Sequence, residues 1–154
     1  MSDWLEHSDQ IEINLPVDLV WSLWSDLEKM PQWMGWIKSV HILDKDPTLS
    51  RWTLASGTVE FSWLARMLQV VPHQIMQWES VDGLPNRGAV YFYNRLGKGT
   101  VVKMSIAFQI PGILGPLLDN LFLGKLVESH IREDLIRFRD FALNEHHKTE
   151  QTRC

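Results

Sequence analysis

IPGILGPLLDNLFLGKLVESHIREDLIRFRDFAL, residues 110–143, carries the longest helical period in the chain. Leu123, Val127, Ile131, Leu135, Phe138 and Ala142 recur at spacings of four and three, which puts them on one stripe of an α-helix. Glu128 precedes Arg132, and Glu133 precedes Arg137, by four residues, the favourable order for a solvated face. A helix over residues 117–143 would be about 40 Å long at about 1.5 Å per residue. A rod of that length needs a broad apolar partner, and the residues before it read as a sheet. Its first half differs from its second. Leu114, Leu117, Leu118, Leu121, Phe122 and Leu126 make it apolar nearly all round, while Asp119, Asn120 and Lys125 break any membrane span. Two readings stay open for this half: a buried helix start, or a face turned to an apolar ligand, a partner or a membrane surface.

Upstream of this rod the period is two. Residues 37–43, 51–55, 58–71, 74–81, 89–96 and 100–110 read as successive strands. Asp46-Pro47, Ser56-Gly57, Pro72-His73, Asp82-Gly83 and Gly97-Lys98-Gly99 punctuate them. Links this short favour antiparallel hairpins, because a parallel crossover needs about a dozen residues. In the last strand Val102, Met104, Ile106 and Phe108 share one face, and Lys103, Ser105 and Gln109 the other. A first strand is expected over residues 8–15. Pro16 then opens a short helix carrying Val20, Trp21 and Trp24. Ser25 and Glu28 suggest a capping box for a second short helix, stopped or restarted at Pro31. Trp33, Met34 and Trp36 form an aromatic corner beside Gly35. The expected organisation is an arm over residues 1–7, one domain over 8–143 and a flexible tail over 144–154.

With 154 residues there is enough chain for one real core. A net charge of −4 gives no electrostatic footprint for nucleic acid. The single cysteine, Cys154, excludes an internal disulfide framework and a cysteine metal cluster. Asp3, Glu6 and Asp9 interrupt any signal-like apolar run, so a reducing cytosol is the expected compartment. The unusual number is eight tryptophans, each offering a large apolar face and one N–H that needs an acceptor.

One strand, two short helices, six strands and a long helix, in that order, resemble the START/birch-allergen-like (SRPBCC) superfamily. The likeness is greatest to its polyketide cyclase/dehydrase and coenzyme Q-binding-protein branch. It is carried by Met30-Pro31-Gln32-Trp33-Met34, Ser50-Arg51-Trp52, Val59-Glu60-Phe61, Trp78-Glu79-Ser80, Asn86 to Phe92, Gly99-Thr100-Val101-Val102, the Pro111-Gly112-x-Leu114-Gly115 turn and Asp134-Leu135-x-Arg137-Phe138. The resemblance implies an α+β helix-grip fold: a curved antiparallel sheet of about seven strands wrapped on the C-terminal helix, enclosing a hydrophobic cavity. It implies a lipophilic ligand such as a quinone, isoprenoid, lipid or polyketide. Some members cyclise or dehydrate a bound polyketide. Fold alone does not carry that chemistry across.

Candidate cavity walls are Trp21, Trp24, Trp33, Trp36, Trp52, Trp63, Trp78, Phe92, Met104, Phe108, Leu114, Leu118, Leu121 and Phe122; each is also a candidate for plain core. The candidate mouth lies between residues 110–126 and the Trp33–Trp36 corner, where Pro111-Gly112 and Gly115-Pro116 offer a hinge. Catalysis on a poly-β-ketone would need inward-facing acids, bases or donors. Tyr91, Tyr93, Arg95 and His130 are the weak candidates. No pair of ordered histidines has metal-ligand spacing, and no cofactor motif is present. Carriage of a lipophilic small molecule is the leading expectation. A cyclase or dehydratase, and a protein- or membrane-docking module using residues 117–126, are its competitors.

Overall fold

Strand pairing, more than strand hydrophobicity, sets where the sheet begins. The computed structural model describes residues 4–56, 58–109 and 120–152. β1 (Leu5–Ile13) alternates half-buried and exposed side chains along most of its length, as a strand with one wet face must. It starts before the expected residue 8 because Leu5 and Glu6 pair with Phe108 and Ala107 at the far end of the last strand. Apolar alternation alone gave no sign of that partner.

Pro16 stands ahead of α1 (Val17–Trp24) as its extended N-cap, with φ −62° and ψ 148°. The helix buries Val20, Trp21 and Trp24. The expected capping box is not formed. Ser25 closes α1, its N–H donating to the Trp21 carbonyl, and the Glu28 carboxylate accepts the Ile42 N–H instead. A 3₁₀ turn, Leu27–Gln32, follows with Asp26 at its N-cap. Pro31 lies inside this turn and does not stop it. So short a helix makes few internal bonds, and the missing N–H is tolerated.

Six strands come next: β2 (Ile37–Leu43), β3 (Asp46–Ser56), β4 (Val59–Val71), β5 (Ile75–Gly83), β6 (Asn86–Asn94) and β7 (Thr100–Phe108). β3 opens earlier than expected. Asp46 pairs with Leu43, so the tight turn is Asp44-Lys45 and Asp46-Pro47 begins the strand. All seven strands form one antiparallel sheet in the order β1-β7-β6-β5-β4-β3-β2. Strands β1 and β2 are consecutive in the chain yet lie at opposite edges. The α1 and 3₁₀ segments therefore span the width of the sheet. Gly99, at φ +95°, makes the turn into β7 possible: a Cβ there would stand 2.3 Å from the Ile13 carbonyl oxygen.

The terminal helix α2 (Asn120–Thr152) lies against β1. Ile131, Leu135, Phe138 and Ala142 are buried, the stripe that the spacing predicts. Glu133 meets Arg137 at 3.6 Å, while Arg132 reaches Asp9 on β1 at 3.4 Å. The helix continues past Leu143 to Thr152, through residues expected as a tail. Its last turns are held by polar pairs, His146 to Glu150 at 3.2 Å and Lys148 to Glu145 at 3.7 Å, and by the Thr149 hydroxyl donating to the Glu145 carbonyl. An apolar period cannot reveal a helix supported in that way. At the centre of the molecule Phe138 packs edge-on to Trp24 and Trp33, with ring centroids 4.8 Å away in each case. The architecture is the α+β helix-grip arrangement that the sequence predicts. The expected hinge lies outside the described residues, and of the expected mouth only the Trp33–Trp36 corner and the helical backbone of residues 120–126 are described.

Candidate functional site

The concave face of the sheet, α1 and the 3₁₀ corner enclose an apolar cavity of about 50 Å³. Five tryptophans line it: Trp24 from α1, Trp36 from the corner, Trp52 from β3, Trp63 from β4 and Trp78 from β5. Met30, Met34, Met67, Met76 and Met104 line it too. These are all the methionines of the chain except Met1. No charged side chain lines the cavity among the described residues, and Asn86 is the polar one.

Local packing fixes these walls. Trp52 and Trp63 face each other across β3 and β4 and stack at 6.1 Å, nearly parallel. Trp78 lies opposite Gly88 on β6, and its ring covers the position that a Cβ on Gly88 would take. Three of the indole N–H groups have built-in acceptors. Trp52 donates to the Ser50 hydroxyl at 2.8 Å, Trp78 to the Asn86 side-chain carbonyl at 3.1 Å, and Trp36 to the Asp134 carboxylate. Trp24 is 1 % exposed, and its Nε1 finds no acceptor among the described residues.

Asp134 ties the cavity rim to α2. Its carboxylate accepts from the Gly35 N–H at 3.1 Å, from the Trp36 indole and from Arg137 at 2.8 Å. Burial pushes its carboxyl above the usual carboxylate range; the Gly35, Trp36 and Arg137 donors pull it back in part. His130, one turn earlier on α2, stacks on the Trp36 ring at 5.7 Å. Its Nδ1 is buried, lies 4.0 Å from Glu133 and has no hydrogen-bond partner among the described residues.

Of the expected wall residues, Trp24, Trp36, Trp52, Trp63, Trp78 and Met104 come together around the cavity. Trp33 is packed between Trp24 and Phe138. Trp21 stands edge-on to Phe92 at 5.0 Å, and Phe108 stacks on His7 at 6.3 Å. These four are core residues beside the cavity. Leu114 and Leu118 lie outside the described residues, and for Leu121 and Phe122 only the helical backbone is described. The four other methionines were missed. For two of them the signal was strand parity: Met67 shares a face with Trp63 and Ala65, and Met76 with Trp78.

The expected catalytic candidates do not converge. Val90 and Phe92 are buried on the inner face, which turns Tyr91 and Tyr93 outward. There they stack on each other at 6.3 Å, and Arg95 pairs with Glu12 at 2.8 Å. His130 stacks on Trp36 but is not itself among the residues that line the cavity. A second, open groove of about 270 Å³ lies at the turns that join β1 to α1 and β6 to β7. Its walls mix Asn14, Asp18 and Asn94 with Pro16, Gly97 and Gly99. Among the described residues no cluster of three or more metal-ligating side chains occurs. No helix among them is long and apolar enough to cross a membrane.

A family model described as polyketide cyclase/dehydrase and lipid transport matches residues 13–135. An uncharacterized 17.2 kDa protein of Streptomyces lincolnensis is 24% identical over 134 residues, 86% of each chain. Among solved structures, TTHA0849 from Thermus thermophilus superposes with a TM-score of 0.77 at 21% identity, covering 91% of this chain and 98% of that one. The Zhui aromatase/cyclase from Streptomyces sp. R1128 superposes with a TM-score of 0.73 at 17% identity, covering 92% and 94%. At these identities the two structures speak for the fold.

Proposed function

The chain belongs to the polyketide cyclase/dehydrase and lipid transport family, and from that premise we propose that it binds or carries a lipophilic small molecule in the tryptophan–methionine cavity. The observation that carries this reading is the lining: five indoles and five thioethers around one space, with no charged side chain among the described walls. Such walls favour an apolar guest, at about 25 cal/mol per Å² removed from water. Immobilising the guest offsets part of that gain.

The volume of about 50 Å³ is far below that of any lipid or ring system. A water molecule needs about 10–15 Å³ of such space, so the cavity as it stands suits a few molecules of that size. Binding therefore requires the walls to move. Methionine is the side chain suited to this, being unbranched, with three rotatable bonds and a polarizable sulfur. Cyclase or dehydratase chemistry would need acids, bases or donors aimed into the cavity. Tyr91, Tyr93 and Arg95 lie on the outer face, so binding is the function the geometry supports best. A cytosolic location and a transient membrane contact through residues 117–126 belong to the same proposal.

The test is a titration of protein labelled with ¹³C at the methionine methyls against a panel of quinones, isoprenoids and aromatic hydrocarbons. The five internal methyls are expected to shift together, with quenching of tryptophan fluorescence. Flotation with liposomes reads the membrane contact. A panel that moves none of the five methyls removes the binding proposal. Protein that stays at the bottom of the gradient removes the membrane part alone.

A further inference from the structure

We infer that Trp36 is the wall that limits the size of the guest, and that His130 and Asp134 are the positioning residues that set this limit by holding the Trp36 indole from α2. This rests on the binding reading above and adds which residues decide what fits.

A cavity of about 50 Å³ has to grow before it takes any ring, and its walls are not equally free to move. Three of its indoles are tethered through their N–H groups. Two of these tethers lie within the sheet: Trp52 donates to Ser50 on its own strand, and Trp78 to Asn86 on the neighbouring one. Those rings travel with the sheet. The third tether joins two bodies. Trp36 stands in the corner before β2, and its N–H goes to the Asp134 carboxylate on α2. A second hold comes from the same helix. His130, one turn before Asp134, stacks on the Trp36 ring at 5.7 Å with 11° between the planes.

The backbone of Trp36 is fixed by a separate contact, since its carbonyl accepts the Ala55 N–H at 3.0 Å. Motion at this wall is therefore a swing of the side chain, and α2 is what opposes it. Trp24 and Trp63 are buried, whereas Trp36 is partly exposed and has solvent beside it. Asp134 is a firm anchor, kept in place by the Gly35 N–H at 3.1 Å and by Arg137 at 2.8 Å. Glycine at position 35 is what admits Arg137, because a Cβ there would stand 2.9 Å from its Nη1. The competing arrangement leaves Trp36 still. The five methionine side chains then make all the room, and His130 has no influence on what fits.

The experiment compares benzene with naphthalene, guests that differ by one ring, in the full-length wild type, His130→Ala and His130→Phe. Affinities come from the methionine-methyl titration. Comparing the naphthalene-to-benzene ratio across the three proteins cancels the different water solubility of the guests. The ratio is expected to rise about two- to tenfold in His130→Ala, the range of one aromatic pair, and to return toward the wild-type value in His130→Phe, which restores a ring to the stack. A loss of stability alone lowers both affinities together. An unchanged ratio, or a rise that His130→Phe does not reverse, overturns the inference while leaving the cavity as a binding site. If neither guest binds the wild type, the binding reading fails, and the inference with it. The wild type carries a second test that needs no variant to fold. Its Trp36 Nε1–H resonance, held downfield by the carboxylate, must move upfield when naphthalene is bound. A resonance that keeps its place with naphthalene bound shows a fixed wall and overturns the assignment.

Discussion

Asp134 is nearly inaccessible, yet three donors converge on it from two parts of the chain. Removing its carboxylate would leave the Gly35 and Trp36 N–H groups without an acceptor, while Arg137, half exposed, could turn to water. Asp134→Ala is expected to destabilise the protein by about 2–4 kcal/mol, read as a lower urea midpoint. The pH dependence has a definite sign. The native carboxyl titrates above its ordinary value of 3.8, because burial outweighs the donors. The folded state therefore keeps a proton that the unfolded chain has released. Stability from this group is fully present below pH 3.8 and is lost as pH rises through the native value. Asp134→Asn should flatten that part of the stability profile; an unchanged slope would show that the carboxylate is already ionised there. None of this was legible in the sequence. Trp36 and Asp134 are 98 residues apart, and nothing local marks an aspartate on a helix as the acceptor for a distant indole.

At the scale of elements, the pairing of β5 with β6 depends on Gly88. A Cβ at this position would stand 2.5 Å from both the Trp78 ring and the Ser105 carbonyl oxygen. Gly88→Ala must therefore push the indole toward the cavity or part β6 from β7. The expected loss is about 2 kcal/mol or more, with the Trp78 and Met76 signals broadened in NMR spectra. Sharp, unshifted spectra would mean that the strand absorbs the methyl. The same elements show what the sequence disclosed. The stripe on α2 could be read because a 3.6-residue period survives any tertiary context. Strand existence was equally clear, and the inner face of β7 followed from simple alternation. The inner faces of β4 and β5 were harder, because register shifts between Leu64 and Ala65 and between Met67 and Gln69 confine an unbroken parity to short runs such as Trp63, Ala65 and Met67. Methionine also has little strand preference to draw attention to it. The walls supplied by tryptophan and by Met104 were found, and those supplied by the four other methionines were overlooked.

At the scale of the whole molecule, no half of the chain builds the sheet without the other. β1 has a single strand neighbour, β7, and Ile11 and Ile13 are paired with Val102 and Thr100. A chain lacking residues 1–14 is expected to lose its cooperative urea transition, since β7 would become an unpaired edge and Ile13, 1 % exposed, would leave the core. A sharp transition in that truncated chain would show that β7 can serve as an edge by itself. The overall arrangement was legible from element order and turn chemistry. The small volume of the cavity was not, since it is a matter of tenths of a nanometre in side-chain placement. The pairing of first with last strand also governs how the protein is made. A ribosome releases β1 long before β7 exists. Its apolar residues Leu5, Ile11 and Ile13 must wait in water for most of translation, interleaved with Glu6, Asp9 and Glu12. Those acids keep the orphan segment from adhering to neighbouring nascent chains until its mate emerges.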